Sequence, residues 1–126
     1  MNNCLPSSSC IVGIYGLGYV GLPLVFAFVD KGFRVLGFDI DEMKIVALRM
    51  GKSYMKHIPD SAVAEVNASG LFTPTSDFSR SGEADALLLC VPTPLTPQRE
   101  PDMTYIESTA RAIAPYLRKG QMVVLE

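Results

Sequence analysis

The chain has 126 residues, of which 48% are hydrophobic and 19% charged, a balance that suits one globular domain with a sizeable core rather than a disordered chain. A formal net charge of -2 and the lack of any Lys/Arg cluster leave no electrostatic footprint for nucleic acid or for an anionic membrane surface. The three cysteines, Cys4, Cys10 and Cys90, show no C-x-x-C spacing and His57 is the single histidine, which argues against a disulfide framework, a zinc site or a multi-His metal centre and for a cytoplasmic setting.

Residues 1–9 read as a polar, Ser-rich, flexible lead-in, and residues 10–126 as the domain. No charge occurs from Asn2 to Val29, as in a membrane span or signal peptide. Against both, no Lys or Arg precedes the apolar run, and four glycines and Pro23 crowd its middle. Ile11 to Tyr15 instead predicts a short strand buried on both faces. The apolar pattern from about Tyr19 to Asp30 is long enough for a helix, with Pro23 tolerated in its first turn and Gly32 closing it.

Arg34 to Asp39 predicts a second strand. Asp41 is placed to cap a second helix, along which Met43, Val46, Ala47 and Met50 recur at helical spacing. Ser61 to Ser69 predicts a short helix closed by Gly70, and Leu71 to Thr73 a short third strand. Ala84 to Val91 is a strongly apolar fourth strand. Pro92, Pro94, Pro97 and Pro101 stiffen the loop after it. Asp102 then caps a helix with Ile106, Ala110, Ile113 and Leu117 on one face, which Pro115 bends or ends, and Met122 to Leu125 is a last strand. Buried strands alternating with helices imply an α/β, Rossmann-type open parallel sheet with helices on both faces.

Gly16-Leu17-Gly18-Tyr19-Val20-Gly21 matches G-x-G-x-x-G directly after a strand and at the start of a helix. In that context Gly16 makes the tight turn, Gly18 lets backbone approach a pyrophosphate, and Gly21 lets the helix pack closely. The unpaired N–H groups and the positive dipole end of the helix face the phosphates. Asp39 follows Gly21 by 18 residues, near the spacing at which an acid accepts hydrogen bonds from the adenosine ribose and repels a 2′-phosphate, favouring NAD over NADP. Lys44 has two readings: a reach to the ribose or pyrophosphate, or a surface pair with Asp41. Thr93, where the chain leaves the fourth strand beside the ligand crevice, offers its hydroxyl and backbone to the cofactor, although prolines alone also explain that loop. Cys90 lies in an apolar strand and reads as inert, and His57 has no visible catalytic partner.

Six segments, "GLGYVGLPL", "GFDID", "GKSYMKHIPD", "LFTPTSDFS", "ADALLLCVPTPLT" and "REPDMTYIESTARAIAPYLRKGQMVVLE", together resemble the UDP-glucose/GDP-mannose dehydrogenase family of nucleotide-sugar 6-dehydrogenases. "GKSYMKHIPD" and "CVPTPLTPQREPD" are most similar to the branch that oxidises UDP-N-acetylglucosamine. The resemblance implies NAD-dependent oxidation of a sugar C6 alcohol to a carboxylate by two hydride transfers, within a homo-oligomeric enzyme. It matches Gly16, Leu17, Gly18, Tyr19, Val20 and Gly21 to the family's pyrophosphate loop. It also matches Asp39 to the ribose-binding acid, Lys44 to the basic residue after it and Thr93 to the threonine of V-x-T-P. Family members are about three times longer, and their catalytic residues fall beyond the stretch that this chain matches. The expectation is therefore a truncated, cofactor-binding part that is inactive alone. Another NAD-dependent dehydrogenase, such as one acting on hydroxy acids, and a non-catalytic nucleotide-binding module remain alternatives.

Overall fold

The computed structural model describes residues 10–125. Five strands, β1 (Ile11–Tyr15), β2 (Arg34–Phe38), β3 (Phe72–Thr75), β4 (Ala86–Leu89) and β5 (Met122–Leu125), form one sheet in the order β3-β2-β1-β4-β5. All four pairings are parallel, so each connection must cross over the sheet. Four helices are carried on these crossovers: α1 (Gly21–Asp30), α2 (Glu42–Arg49), α3 (Asp60–Ala68) and α4 (Thr104–Ile113). The chain winds outward from β1 to β3 and then returns to β4 beside β1. That reversal opens a crevice at the carboxyl ends of β1 and β4.

Strand alternation divides the core in two. Val12 and Ile14 of β1 and Val35 of β2 pack with Leu22, Val25 and Val29 of α1, Ile45 and Leu48 of α2, and Val63 of α3. Tyr15, Leu36 and Phe38 point to the other face and pack with Leu87, Leu89 and Ile113 of α4. Tyr15 and Phe38 stack with centroids 4.4 Å apart and planes within 4°, and the Tyr15 hydroxyl donates to Ser81 Oγ at 2.7 Å. Each fully buried aliphatic side chain on these faces contributes about 1.5–3 kcal/mol relative to exposure.

The parallel α/β sheet and the order of its elements follow the sequence reading, with local departures. α1 starts at Gly21, not Tyr19, because Gly16 to Val20 is used up in the turn that leaves β1; Pro23 still falls in the first helical turn. Gly32 takes φ 89° after α1. Asp41 caps α2 by accepting the Met43 N–H at 2.9 Å, yet the helix buries Ile45 and Leu48 while Met43, Val46 and Met50 face outward. Both faces of α2 carry apolar residues, so spacing alone did not choose between them. Hydrogen bonds to neighbouring elements fix its rotation: Arg49 donates to the Pro74 carbonyl at 3.1 Å, and Asn67 to the Leu48 carbonyl at 2.7 Å.

β3 extends to Thr75 through Pro74, which an edge strand accommodates because the missing N–H is not needed by a neighbour. β4 is four residues long, shorter than its apolar run. It is preceded by a 3-10 turn over Phe78–Glu83, which ends just before Ala84, and followed by the prolines. On α4, Ile113 is buried as expected, but Ala110 is exposed, and Leu117, also exposed, lies beyond the helix end. Pro115 ends the helix in a 3-10 turn, Ala114–Tyr116. Cys10 is disulfide-bonded, a correction to the reading of the cysteine count. The lead-in 1–9 lies outside the described residues. Among the described residues no helix is long and apolar enough to cross a membrane.

Candidate cofactor site

β1 delivers the chain to Gly16, whose φ is 93°, a conformation that glycine adopts at little cost. The Gly16 N–H donates to the Phe38 carbonyl at 2.8 Å, carrying the β1–β2 ladder one residue beyond the strand. A Cβ on Gly16 would lie 2.8 Å from the Cys90 carbonyl oxygen, and one on Gly21 would lie 1.7 Å from the Gly16 carbonyl oxygen. The loop is therefore pressed between the end of β4 and the start of α1, with no room for side chains at either position. A Cβ on Gly18 would meet nothing within 4 Å, because Gly18 borders an open cleft.

The loop that borders this opening leaves its N–H groups uncapped. Among the described residues, the N–H groups of Gly18, Tyr19 and Val20 meet no acceptor. Val20, the N-cap of α1, makes no side-chain bond, and the first turn holds no acid. Orphan donors and the positive end of a helix dipole thus coincide, an arrangement that suits an anion. Tyr19 and Val20 are exposed at the rim, and Tyr19 lies parallel to His57 at 6.1 Å between centroids.

Asp39, one residue beyond β2, is 8% exposed. Its Oδ2 accepts the Leu17 N–H at 2.9 Å and its Oδ1 accepts the Asp41 N–H at 2.9 Å. Carboxylate oxygens have four lone-pair sites, so two bonds to backbone leave further acceptor capacity for a ligand. Lys44 Nζ is 3.9 Å from Asp39 Oδ2 and 5.5 Å from the centre of the Tyr54 ring; the expected alternative partner, Asp41, is not the one it pairs with. The Tyr54 hydroxyl donates to the Leu17 carbonyl at 2.6 Å. Burial and the neighbouring charges of Asp39 and Asp41 push the Tyr54 phenol far above its ordinary range, so it stays a donor.

The opposite wall comes from Val91, Pro92 and Thr93 after β4, and from Tyr105 and Thr109 of α4. Phe78 and Ser76 close the far end, where Ser76 donates to Glu42 at 2.6 Å. The cleft measures about 1070 Å³, enough for an extended dinucleotide by the range for ligand pockets. Of the residues picked from sequence, Gly16, Gly18, Tyr19, Val20, Asp39, Lys44 and Thr93 line it. Leu17 is fully buried behind the loop, and Gly21 is buried at its back. Cys90 is half-buried at the cleft, beyond the end of β4 rather than deep inside it.

Sequence reasoning missed Tyr54, Phe78, Tyr105 and Thr109 as lining residues. Tyr54 belongs to an irregular segment whose only signal was its likeness to the family. The other three sit on elements that approach the cleft only through the crossovers.

The model of the UDP-glucose/GDP-mannose dehydrogenase family, NAD binding domain, matches residues 10–126. The UDP-N-acetyl-D-mannosamine dehydrogenase of Escherichia coli (strain K12) is 40% identical over 119 residues, which are 94% of this chain and 28% of that protein. The NDP-N-acetyl-D-galactosaminuronic acid dehydrogenase of Ralstonia nicotianae is 35% identical over 116 residues, 91% of this chain and 27% of that protein. Among solved structures, the GDP-mannose dehydrogenase of Pseudomonas aeruginosa superposes with a TM-score of 0.83 at 28% identity, covering 90% of this chain and 27% of that one. An NDP-N-acetyl-D-galactosaminuronic acid dehydrogenase from Methanosarcina mazei gives 0.83 at 34% identity, covering 93% and 27%. The chain thus spans little more than a quarter of the length of these relatives. It belongs to the UDP-glucose/GDP-mannose dehydrogenase family of NAD-dependent nucleotide-sugar dehydrogenases, as an NAD-binding domain of that family.

Proposed function

We propose that the cleft holds NAD with its pyrophosphate on the N–H groups of Gly18, Tyr19 and Val20, between Gly16 and the start of α1 at Gly21. Asp39 accepts the adenosine ribose hydroxyls, Lys44 supports it from the side, and Thr93 faces the nicotinamide half. Leu17 and Gly21 serve from behind, by orienting the loop and by letting α1 approach. One observation carries this placement: uncapped loop N–H groups and a buried acid at the end of β2 border the same cleft. Phosphate and ribose demand those two features side by side.

In the whole enzyme this domain takes up the hydride. The proposed reaction oxidises the C6 alcohol of a UDP-sugar to a carboxylate, with two NAD each accepting one hydride and water supplying the second carboxylate oxygen. The sugar is a UDP-N-acetylhexosamine. The sequence likeness favours N-acetylglucosamine, whereas the relatives at 34–40% identity are named for N-acetylmannosamine and N-acetylgalactosaminuronic acid. All three share the 2-acetamido group, and that group defines the substrate class. The same reading takes the 126 residues as inactive alone and the whole enzyme as a homo-oligomer, and it places that enzyme in the cytoplasm, where NAD and nucleotide sugars are at hand.

The test measures NADH formation with UDP-N-acetylglucosamine, UDP-N-acetylmannosamine, UDP-N-acetylgalactosamine and UDP-glucose, for this chain and for the product extended through the rest of its reading frame. Two NADH per acetamido sugar, with UDP-glucose poorly used and this chain silent, is the expected result. Turnover by the 126 residues, or equal use of UDP-glucose, contradicts it.

A further inference from the structure

Tyr54 stands outside every role assigned above, yet it touches both the glycine loop and Lys44. Its hydroxyl donates to the Leu17 carbonyl at 2.6 Å, while the Leu17 N–H is held by Asp39 at 2.9 Å. The two bonds grip the Leu17 residue from both ends, immediately before Gly18. The face of the Tyr54 ring lies 5.5 Å from Lys44 Nζ, the ammonium that pairs with Asp39. The segment that carries Tyr54 is itself fastened: the Ser53 N–H donates to Asp60 at 2.8 Å, the Met55 N–H to Ser53 Oγ at 3.0 Å, and Met55 is buried.

We infer that Tyr54 is a positioning residue for the cofactor, acting through two separable contacts. The hydroxyl fixes the Leu17–Gly18 peptide and so the direction of the N–H groups that follow it. The ring holds Lys44 beside the ribose acid by a cation–π contact. Orientation of donors before the ligand arrives lowers the ordering cost of binding, so the two contacts act on different parts of NAD. The hydroxyl governs ligands that carry a pyrophosphate, and the ring governs the adenosine end.

This inference rests on the placement of NAD proposed above, and the experiment separates the two. Dissociation constants for NAD, ADP-ribose and adenosine are measured on the 126-residue chain and on Tyr54→Phe, Tyr54→Leu and Gly18→Ala variants. Loss of one hydrogen bond corresponds to about a fivefold change. Tyr54→Phe keeps the ring, so NAD and ADP-ribose weaken about fivefold and adenosine binding is unchanged. Tyr54→Leu loses both contacts, so adenosine weakens as well, by about threefold, the low end of a cation–π contact. A purely structural tyrosine would weaken all three ligands together in Tyr54→Phe, and that result overturns the inference. So does an unchanged Tyr54→Phe when Gly18→Ala has lost ADP-ribose affinity. If Gly18→Ala binds ADP-ribose as well as the unmodified chain, the placement of NAD fails and the inference falls with it.

Discussion

The Asp39 carboxylate accepts the N–H of Leu17 at 2.9 Å, joining the acid at the end of β2 to the glycine loop after β1. Its other oxygen takes the Asp41 N–H, so the acid is oriented by backbone before any ligand meets it. In Asp39→Asn one of these two donors faces an NH₂ group instead of an oxygen. The unsatisfied buried N–H costs about 1–3 kcal/mol of stability. Loss of the negative charge also removes the repulsion of a 2′-phosphate. Calorimetry is expected to show NAD weakened roughly tenfold, the order of one charged hydrogen bond, and the preference for NAD over NADP narrowed. A preference unchanged in the variant shows that Asp39 does not read the ribose.

The glycines separate binding from folding. Gly18→Ala adds a methyl group to open space, so thermal stability is expected to stay within about 1 kcal/mol, while pyrophosphate ligands bind more weakly. Gly21→Ala drives its Cβ against the Gly16 carbonyl and must displace α1 or the loop, a cost of several kcal/mol by analogy with overpacked cores. Urea denaturation of the two variants checks the contrast. Similar stability in both contradicts the loop packing described.

Alkaline pH tests the buried tyrosines. Burial raises the Tyr15 phenol from 10.0 to about 12, a rise that its bond with Ser81 only partly opposes. Burial, helped by Asp39 and Asp41, raises Tyr54 further. Above pH 10 the unfolded chain sheds these protons while the folded chain keeps them. Stability is thus level below pH 10 and falls as the pH rises toward 12, by at most about 1.4 kcal/mol per pH unit for each tyrosine. Tyr15→Phe, followed by denaturation at stepped pH, is expected to make that fall shallower. An unchanged slope denies Tyr15 its part.

The orientation of α2 predicts a sharp contrast among its apolar residues. Ile45→Ala and Leu48→Ala empty buried sites and cost about 2–5 kcal/mol each. Met43→Ala and Met50→Ala act at exposed sites and stay within about 0.5 kcal/mol. Denaturant midpoints for the four variants test the assignment, and equal losses contradict it.

The parts that were legible in the sequence are those whose cause is local. A β-branched run, glycines at fixed offsets, an acid 18 residues after the last of them and an Asp cap at residue 41 each act within one strand, turn or helix end. The face of α2 was not legible, because its apolar residues cover both sides and the choice rests on Arg49 meeting Pro74 and Asn67 meeting Leu48. The extension of β3 from Thr73 to Thr75 was not legible either, because a proline such as Pro74 is admitted in a strand only at a sheet edge, and the edge is set by the sheet order. Tyr54 was invisible for a related reason. Its bond to Leu17 spans 37 residues and starts from a segment with no periodicity, so nothing near it in the chain announces the contact.

The most direct measurement is an amide NMR titration of the 126-residue chain with NAD. The expected outcome is saturable shifts at Gly18, Tyr19 and Val20, accompanied by Asp39 and Thr93, with no response in the shallow groove between α1 and α3 near Phe26 and Val66. Shifts confined to that groove, or NAD-saturated spectra with the Gly18, Tyr19 and Val20 amides unmoved, would contradict the placement of the cofactor on the glycine loop.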